Sequence, residues 1–407
     1  MDDSSPPRRT PATWLSLICL ATAILLWPPV LERVVSLDWK ICDMRPVAFV
    51  GQLLMATLAL LLFAGRRRVS VWLSKHTPLG KTLIFASVAL GLSTVLCLAV
   101  MEVGLRLFRD PLQITWEPAD HKRVRYDPVL GWTYVRNQSI MQAFVRGQSP
   151  VPVHTNEQGI RVPMPDTRLD PNLPTVIFVG GSFTMGYGLP FEETFIGQLA
   201  DYPNFPYQVV NLGVEAYGTD QAWLRLQRYM DTFNTVAVVY TFLPVHVNRN
   251  HNYDRRVLFP GVRMVGTKPL FGLRWNGSVY LKKEPVRLED HSSLRLGVYA
   301  QRAWLRWGPE PGLKMSRGLI DAMGKEVEAA GAAFILVYWD FWGDDKSHFY
   351  PVLEGLTFPL VDLCAEHPDG WQDMRLPGDS HPNSEAGAYV AERLAAQMTE
   401  LGLMSVE

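Results

Sequence analysis

The chain has 407 residues, a formal net charge of -1, 48% hydrophobic residues and 19% charged residues. That length accommodates one large domain plus a smaller part, and the near-neutral charge excludes a global pull toward nucleic acid or a membrane surface. The four cysteines (Cys19, Cys42, Cys97 and Cys364) have no zinc-ligand spacing, and only Cys364 lies in the large C-terminal part, so no disulfide can form within that part.

Charge is unevenly distributed. Ala12–Leu31, Pro46–Gly65 and Thr82–Met101 each run 20 residues without Asp, Glu, Lys or Arg. A helix needs roughly 20 apolar residues to cross a bilayer core, so three transmembrane helices are expected, with the lipid bilayer as a partner. A cleaved signal peptide suits the first run poorly, because the run exceeds an h-region of roughly 7–15 residues and Trp27-Pro-Pro29 is a poor cleavage site. Arg8, Arg9, Arg66, Arg67, Arg68, Lys75 and Lys81 flank these runs, whereas the connection Glu32 to Arg45 balances acids against bases. The positive-inside rule then puts the N-terminus and the 66–81 loop in the cytoplasm and everything after about residue 105 on the extracytoplasmic side. The expected division is a membrane domain over 1–105, a lead-in over 106–170 and an α/β domain over 171–407.

The lead-in is rich in Pro, Gly and aromatics, as in Tyr126-Asp-Pro-Val-Leu-Gly-Trp132 and Asn156-Glu-Gln-Gly-Ile-Arg161. So many Trp and Tyr residues predict an ordered segment packed on the domain rather than a loose linker. A βα rhythm begins at Thr175. Strands are predicted at Thr175–Val179, Gln208–Val214, Val236–Phe242 and Ala333–Trp339, and helices at Glu192–Leu199, Thr219–Met230, Leu313–Ala330 and Ser384–Leu401. Strands alternating with helices imply a mostly parallel sheet covered on both faces. The stretch 251–310 breaks the rhythm and reads as an insertion over the sheet, placed either to roof a substrate cleft or as a surface excursion without function.

Two short segments carry the chemistry. Gly180-Gly181-Ser182 stands where a buried strand turns toward a helix, a place where glycines permit a sharp turn and a serine projects at the rim. A hydroxyl is a weak nucleophile without a base. Asp379-Ser-His381-Pro-Asn383 precedes the closing helix, and a carboxyl and an imidazole two positions apart in a loop let Asp379 orient His381. Taken alone, each segment reads equally as a turn serine, a turn-capping Asp379 or Ser380, and a surface histidine. Together they open on one edge of the sheet, because Ser182 follows the first strand of the rhythm and His381 follows the last.

These residues carry a resemblance. From about Tyr126 to Leu401 the chain resembles the SGNH (GDSL-like) hydrolase family, in particular its membrane-tethered bacterial branch. Val176-Ile-Phe-Val-Gly-Gly-Ser-Phe-Thr-Met-Gly-Tyr-Gly188 is similar to the first block, Val209-Val-Asn-Leu-Gly-Val-Glu-Ala-Tyr-Gly-Thr-Asp-Gln221 to the second, and Asp379-Ser-His-Pro-Asn383 with Gly387 to the last. The resemblance implies a three-layer α/β/α, flavodoxin-like parallel sheet and a Ser182–His381–Asp379 triad without metal or cofactor. It also implies an oxyanion hole, and there the chain departs from the family. Ala216 stands in place of a glycine whose N–H helps bind the oxyanion, a substitution compatible with that role if the local φ is negative. Val245 stands in place of an Asn, leaving His246 as the nearest side-chain donor and Asn248 in reserve. The Asp-to-His spacing is one residue shorter than in the common hydrolase form, as in membrane-linked acyl-transferring relatives.

The reading that follows is a membrane-anchored serine ester hydrolase acting on acylated glycan or lipid esters at the cell envelope. Two alternatives stand beside it. One is an O-acyltransferase of exported polysaccharide, in which a sugar hydroxyl replaces water. The other is a catalytically inactive envelope binding or assembly protein, for which the altered third block is the argument.

Overall fold

A computed structural model describes residues 11–30, 45–68, 71, 78–108, 110–112, 123–144, 148–259, 264–291, 293–307, 311–341, 349–366 and 371–405. The three apolar N-terminal runs form helices: α1, Pro11–Leu25; α2, Arg45–Ala64; and α3, Pro78–Phe108. Among the described residues, however, no helix is long and apolar enough to cross a membrane. This corrects the expectation of three transmembrane helices, and with it the multi-pass localisation. Freedom from charge over 20 residues is a weaker condition than an apolar helix of that length. The 15 residues of α1 amount to about 22 Å of helix against an apolar core of about 30 Å. The 20 residues of α2 include Gly51, Gln52 and Thr57, and the 31 of α3 take in Lys81, Glu102 and Arg106. Cys42, Lys75 and most of the Glu32–Arg45 connection lie outside the described residues.

The chain divides into two compact units, Met1–Gln113 with Leu288–Arg302, and Ile114–Arg287 with Ala303–Glu407. In the first, α1 packs on α2, and Ser16 Oγ donates to the Ala59 carbonyl at 2.8 Å. Near the end of α3, Arg106 pairs with Glu102, and Arg295 makes a bidentate pair with Asp110 at 2.8 Å.

The second unit is built on an eight-stranded sheet. Its strands, in chain order, begin with the hairpin β1 (Val124–Asp127) and β2 (Gly131–Tyr134), which lies outside the large sheet. There follow β3 (Ser139–Gln142), β4 (Val151–Thr155), β5 (Arg161–Val162), β6 (Pro174–Val179), β7 (Gln208–Asn211) and β8 (Asn234–Phe242). A second separate hairpin, β9 (Leu270–Leu273) with β10 (Val279–Lys283), precedes β11 (Ala333–Tyr338) and β12 (Leu360–Asp362). The helices of this unit are α4 (Ser182–Met185), α5 (Phe195–Ala200), α6 (Thr219–Tyr229), α7 (Val245–Asn250), α8 (Arg295–Trp307, whose first residues belong to the first unit), α9 (Pro311–Ala329), α10 (Leu363–Glu366) and α11 (Ser384–Glu400).

Across the large sheet the order is β12-β11-β8-β6-β7-β5-β4-β3. The first five run parallel, and numbered by chain order among themselves they follow the flavodoxin-like sequence 2-1-3-4-5. The last three are antiparallel, so the sheet is mixed rather than purely parallel. The extra strands come from the lead-in, where short, polar pieces such as Arg161–Val162 carry no apolar run that would announce a strand.

Alternation along β6 explains the layering. Val176 and Phe178 face one side, where they join Phe195, Leu199, Val390 and Leu394 of α5 and α11. Ile177 and Val179 face the other, with Leu226 of α6 and Ile320 and Met323 of α9. Residues two apart share a face of a pleated strand, and a strand covered on both sides reads as an unbroken apolar run. Each of these fully buried side chains stabilises the fold by about 1.5–3 kcal/mol relative to exposure. The described part of the 251–310 insertion packs sideways: Phe271 of β9 joins Met315 and Leu319 of α9 and leans on Trp223 of α6.

Candidate active site

Strand order reverses between β6 and β8, and the carboxyl ends of those strands flank the crevice where open α/β sheets bind ligands. Ser182 begins α4 immediately after β6. Gly180 permits the turn, since a Cβ there would lie 2.2 Å from Thr184 Oγ1. After one helical turn Gly186 ends α4 in the left-handed region, at φ 83°. Arg161 of β5 then clasps the loop that follows, donating to the carbonyls of Met185, Gly186 and Leu189 at 2.5, 2.8 and 2.6 Å. Burial pushes the Arg161 pKa down to about 10, which leaves it charged at neutral pH.

His381 reaches Ser182 from the loop before α11. Its Nε2 is 2.9 Å from Ser182 Oγ and its Nδ1 is 2.5 Å from Asp379 Oδ1. The same carboxylate oxygen accepts the backbone N–H of His381 at 2.8 Å. Leu376 N–H donates to the His381 carbonyl at 2.8 Å, and Asn383 caps α11 by accepting from Ala386 N–H. Burial alone would raise the Asp379 carboxyl, but the hydrogen bonds from His381 and the backbone hold it below the usual carboxylate range. On the open side, Tyr187 stacks on the His381 ring with centroids 4.0 Å apart. On the buried side, Phe183 packs edge-on against Trp339 and Phe341.

The second block forms the loop 212–218 beside this turn, and the lead-in holds it. Trp132 Nε1 donates to the Glu215 carbonyl at 3.1 Å, Tyr217 Oη to the Trp132 carbonyl at 2.5 Å, and Arg123 pairs with the Glu215 carboxylate at 2.5 Å. Tyr134 Oη also donates to that carboxylate. Ala216 in this loop takes φ 72°, which overturns the condition of a negative φ attached to its oxyanion role. An alanine in this left-handed region bears a cost that glycine would not. Its N–H has no backbone carbonyl partner among the described residues.

The third block is helical rather than extended. Helix α7 turns His246, Val247, Arg249 and Asn250 inward and leaves Asn248 exposed, so the reserve donor points away from the site. His246 is fully buried. Its Nδ1 lies 3.0 Å from Tyr240 Oη and 3.4 Å from the Leu243 N–H. Because an N–H can only donate, this network assigns Nδ1 as acceptor and the proton to Nε2. Burial and the nearby Arg249 charge push the His246 pKa well below its ordinary value, so the ring is neutral. Nε2 has no hydrogen-bond partner among the described residues and lies 3.2 Å from where a Cβ of Gly181 would stand. A neutral N–H donor thus faces the nucleophile turn.

The structure brings Ser182, His381, Asp379 and His246 to one crevice, and adds Tyr187 and Arg249, which the sequence did not mark for function. Read as a helix, 245–250 would have placed His246 and Arg249 three apart on one face.

No protein-family model and no curated protein matches the chain. Several solved structures of esterases and G-D-S-L lipolytic proteins align with it at low identity. The psychrotrophic esterase EstA from Pseudoalteromonas sp. is 15% identical over 56% of this chain and 97% of its own, with a TM-score of 0.34. A lipolytic protein of the G-D-S-L family from Desulfitobacterium hafniense DCB-2 is 12% identical over 55% and 98%, at a TM-score of 0.34. TesA is 17% identical over 56% and 99%, also at 0.34. At these identities and TM-scores the likeness carries no argument about activity; the geometry of Ser182, His381 and Asp379 does.

Proposed function

We propose that the protein is a serine hydrolase of O-acyl esters, with Ser182 as nucleophile, His381 as general base and Asp379 as its orienter. The observation that carries the reading is one imidazole bonded on both sides, by Nε2 to a strand-end serine at 2.9 Å and by Nδ1 to a carboxylate at 2.5 Å. Asp379 keeps the proton on Nδ1, leaving Nε2 free to accept from Ser182. As Ser182 Oγ bonds to the ester carbonyl carbon, its proton passes to His381 and the carbonyl π pair moves onto oxygen. Collapse of that intermediate expels the alcohol oxygen, which takes the proton from His381. Water then repeats the sequence and frees the acid. His246 Nε2–H is the side-chain donor for the oxyanion, and the N–H of Ala216 is a second donor from the 212–218 loop.

Acylated glycans and lipid esters are the substrate classes that suit this chemistry. The test is covalent labelling of the full chain by a fluorophosphonate, with short- and long-chain p-nitrophenyl esters as turnover substrates. Labelling is expected at Ser182 and absent in Ser182→Ala. Because the three residues act as a unit, Ser182→Ala and His381→Ala should each abolish most turnover, with little further loss in the double variant. Full turnover in Ser182→Ala would end this reading.

A further inference from the structure

Arg249 is buried without the partners that usually accompany a buried charge. It is 8% exposed and donates one hydrogen bond, from Nη1 to the Tyr217 carbonyl at 2.9 Å, while its Nε has none among the described residues. Arg123 and Lys268 sit against Glu215 and Asp220. Arg161 donates to three backbone carbonyls, and Arg225 donates to Thr133 Oγ1 and the Gly159 carbonyl. No carboxylate pairs with Arg249 among the described residues, and nearby Arg255 repels it. Burial and that repulsion push its pKa down to about 9, so it is charged at neutral pH. A buried charge without a counterion detracts from stability, so stability does not account for it.

Its position does. A Cβ on Gly181 would stand 3.3 Å from Arg249 Nη1 and 3.2 Å from His246 Nε2. The absence of a side chain at Gly181 is what lets both groups close on the backbone immediately before Ser182.

We propose that the Arg249 guanidinium is the fixed positive charge that favours the anionic tetrahedral intermediate formed at Ser182. This rests on the serine-hydrolase reading above. His246, held neutral, offers a hydrogen bond without charge, and Arg249 supplies the charge that compensates the oxygen as the carbonyl π pair moves onto it. A preorganised charge beside a developing anion acts on the transition state more than on the neutral ester.

The test uses the full chain and p-nitrophenyl acetate, beside a phenylboronic acid whose adduct with Ser182 is tetrahedral and anionic. An unlabelled, inactive parent would overturn the hydrolase reading itself, before any Arg249 variant is compared. With an active parent, Arg249→Gln is expected to lower kcat by about 10² with KM within about twofold, and to weaken the boronic acid in parallel. Its Tm should hold or rise, because an unpaired buried charge has been removed. Arg249→Lys, which keeps the charge, should recover part of kcat. An unchanged kcat in Arg249→Gln overturns the inference. So does a loss of kcat that tracks a fall in Tm and is no smaller in Arg249→Lys. Should Arg249→Gln fail to fold, Gly181→Ala decides. Its φ of -92° lies outside the left-handed region, while the added Cβ presses on His246 and Arg249. A fall in kcat beyond that of His246→Ala, with little change in Tm, supports the inference, and an unchanged kcat or a fall no greater than that of His246→Ala overturns it.

Discussion

The rings of Tyr187 and His381 lie nearly parallel, 21° apart, with centroids separated by 4.0 Å. Tyr187 is anchored in turn by its hydroxyl, which donates to the Phe144 carbonyl at 3.1 Å, and by Arg161, which clasps the loop around it. The stack therefore limits how far the imidazole can swing from Ser182. Aromatic pairs contribute about 0.5–1.5 kcal/mol beyond burial, so Tyr187→Leu is expected to lower kcat up to about tenfold. Tyr187→Phe, which keeps the ring, should lose much less. Equal kcat in parent and Tyr187→Leu, measured under saturating ester, would reduce the contact to packing.

Asp379 is expected to act through the tautomer of His381 rather than through proton transfer. Asp379→Asn keeps the shape but can present an N–H to Nδ1, which shifts the ring proton to the nitrogen facing Ser182. A loss of kcat of about 10³–10⁴ with little change in KM follows. A loss confined to KM would place Asp379 in substrate binding instead.

The altered third block yields a prediction in two halves. His246→Ala removes the neutral donor facing the nucleophile turn and should lower kcat by about 10², and His246→Gln should recover part of it. Asn248→Ala should leave kcat as it was, because Asn248 is exposed on the far face of α7. If Asn248→Ala is the variant that loses kcat while His246→Ala does not, the two residues exchange roles.

Stability should carry an acid-sensitive increment at Asp127. Its carboxylate accepts two hydrogen bonds from Arg228 at 2.8 and 2.9 Å, and the N–H groups of Leu130 and Val129 at 2.9 and 3.0 Å. Burial alone would raise its pKa, but these bonds hold it down to about 2, against an ordinary value of 3.8. A folded value below the unfolded one means that the contribution is complete above pH ~4 and is lost as the pH falls through ~2. In thermal melts, Asp127→Asn should lie below the parent at pH ~6, and the gap should close across that window. A gap that stays constant down to pH ~2 would contradict the assignment.

The parts of this fold that were legible in the sequence share one property: the local pattern and the tertiary environment agree. Thr175–Val179 reads as a doubly buried strand because it is one, and Ser384–Leu401 reads as a helix because Ala386, Val390, Leu394 and Met398 form its buried stripe. Ser182, His381 and Asp379 stand out in the sequence because the two segments that carry them follow the first and last strands of the βα rhythm and so open on one edge of the sheet. Other features depend on contacts far along the chain. Strands β3 to β5 exist through pairings such as Arg161 with Asn211, which no local periodicity announces. The inward turn of Arg249 needs α7 to be a helix, and six residues containing Asn and Arg after a proline look like a loop. Ala216 at positive φ is set by the contacts of Glu215 and Tyr217 with Trp132. At the N-terminus, freedom from charge and length of apolar helix are different quantities.

The lead-in strands bear on which fragments of this protein can be handled. Strands β3 to β5 lie beyond β7 and continue the sheet outward from it. A fragment beginning near residue 171 would keep Ser182, His381 and Asp379 but lose β5, which pairs with β7 through Arg161 and Asn211, and so leave that side of β7 uncovered. Such an uncovered strand is a template for pairing between copies, so that fragment is expected to aggregate where a chain begun ahead of Val124 would not.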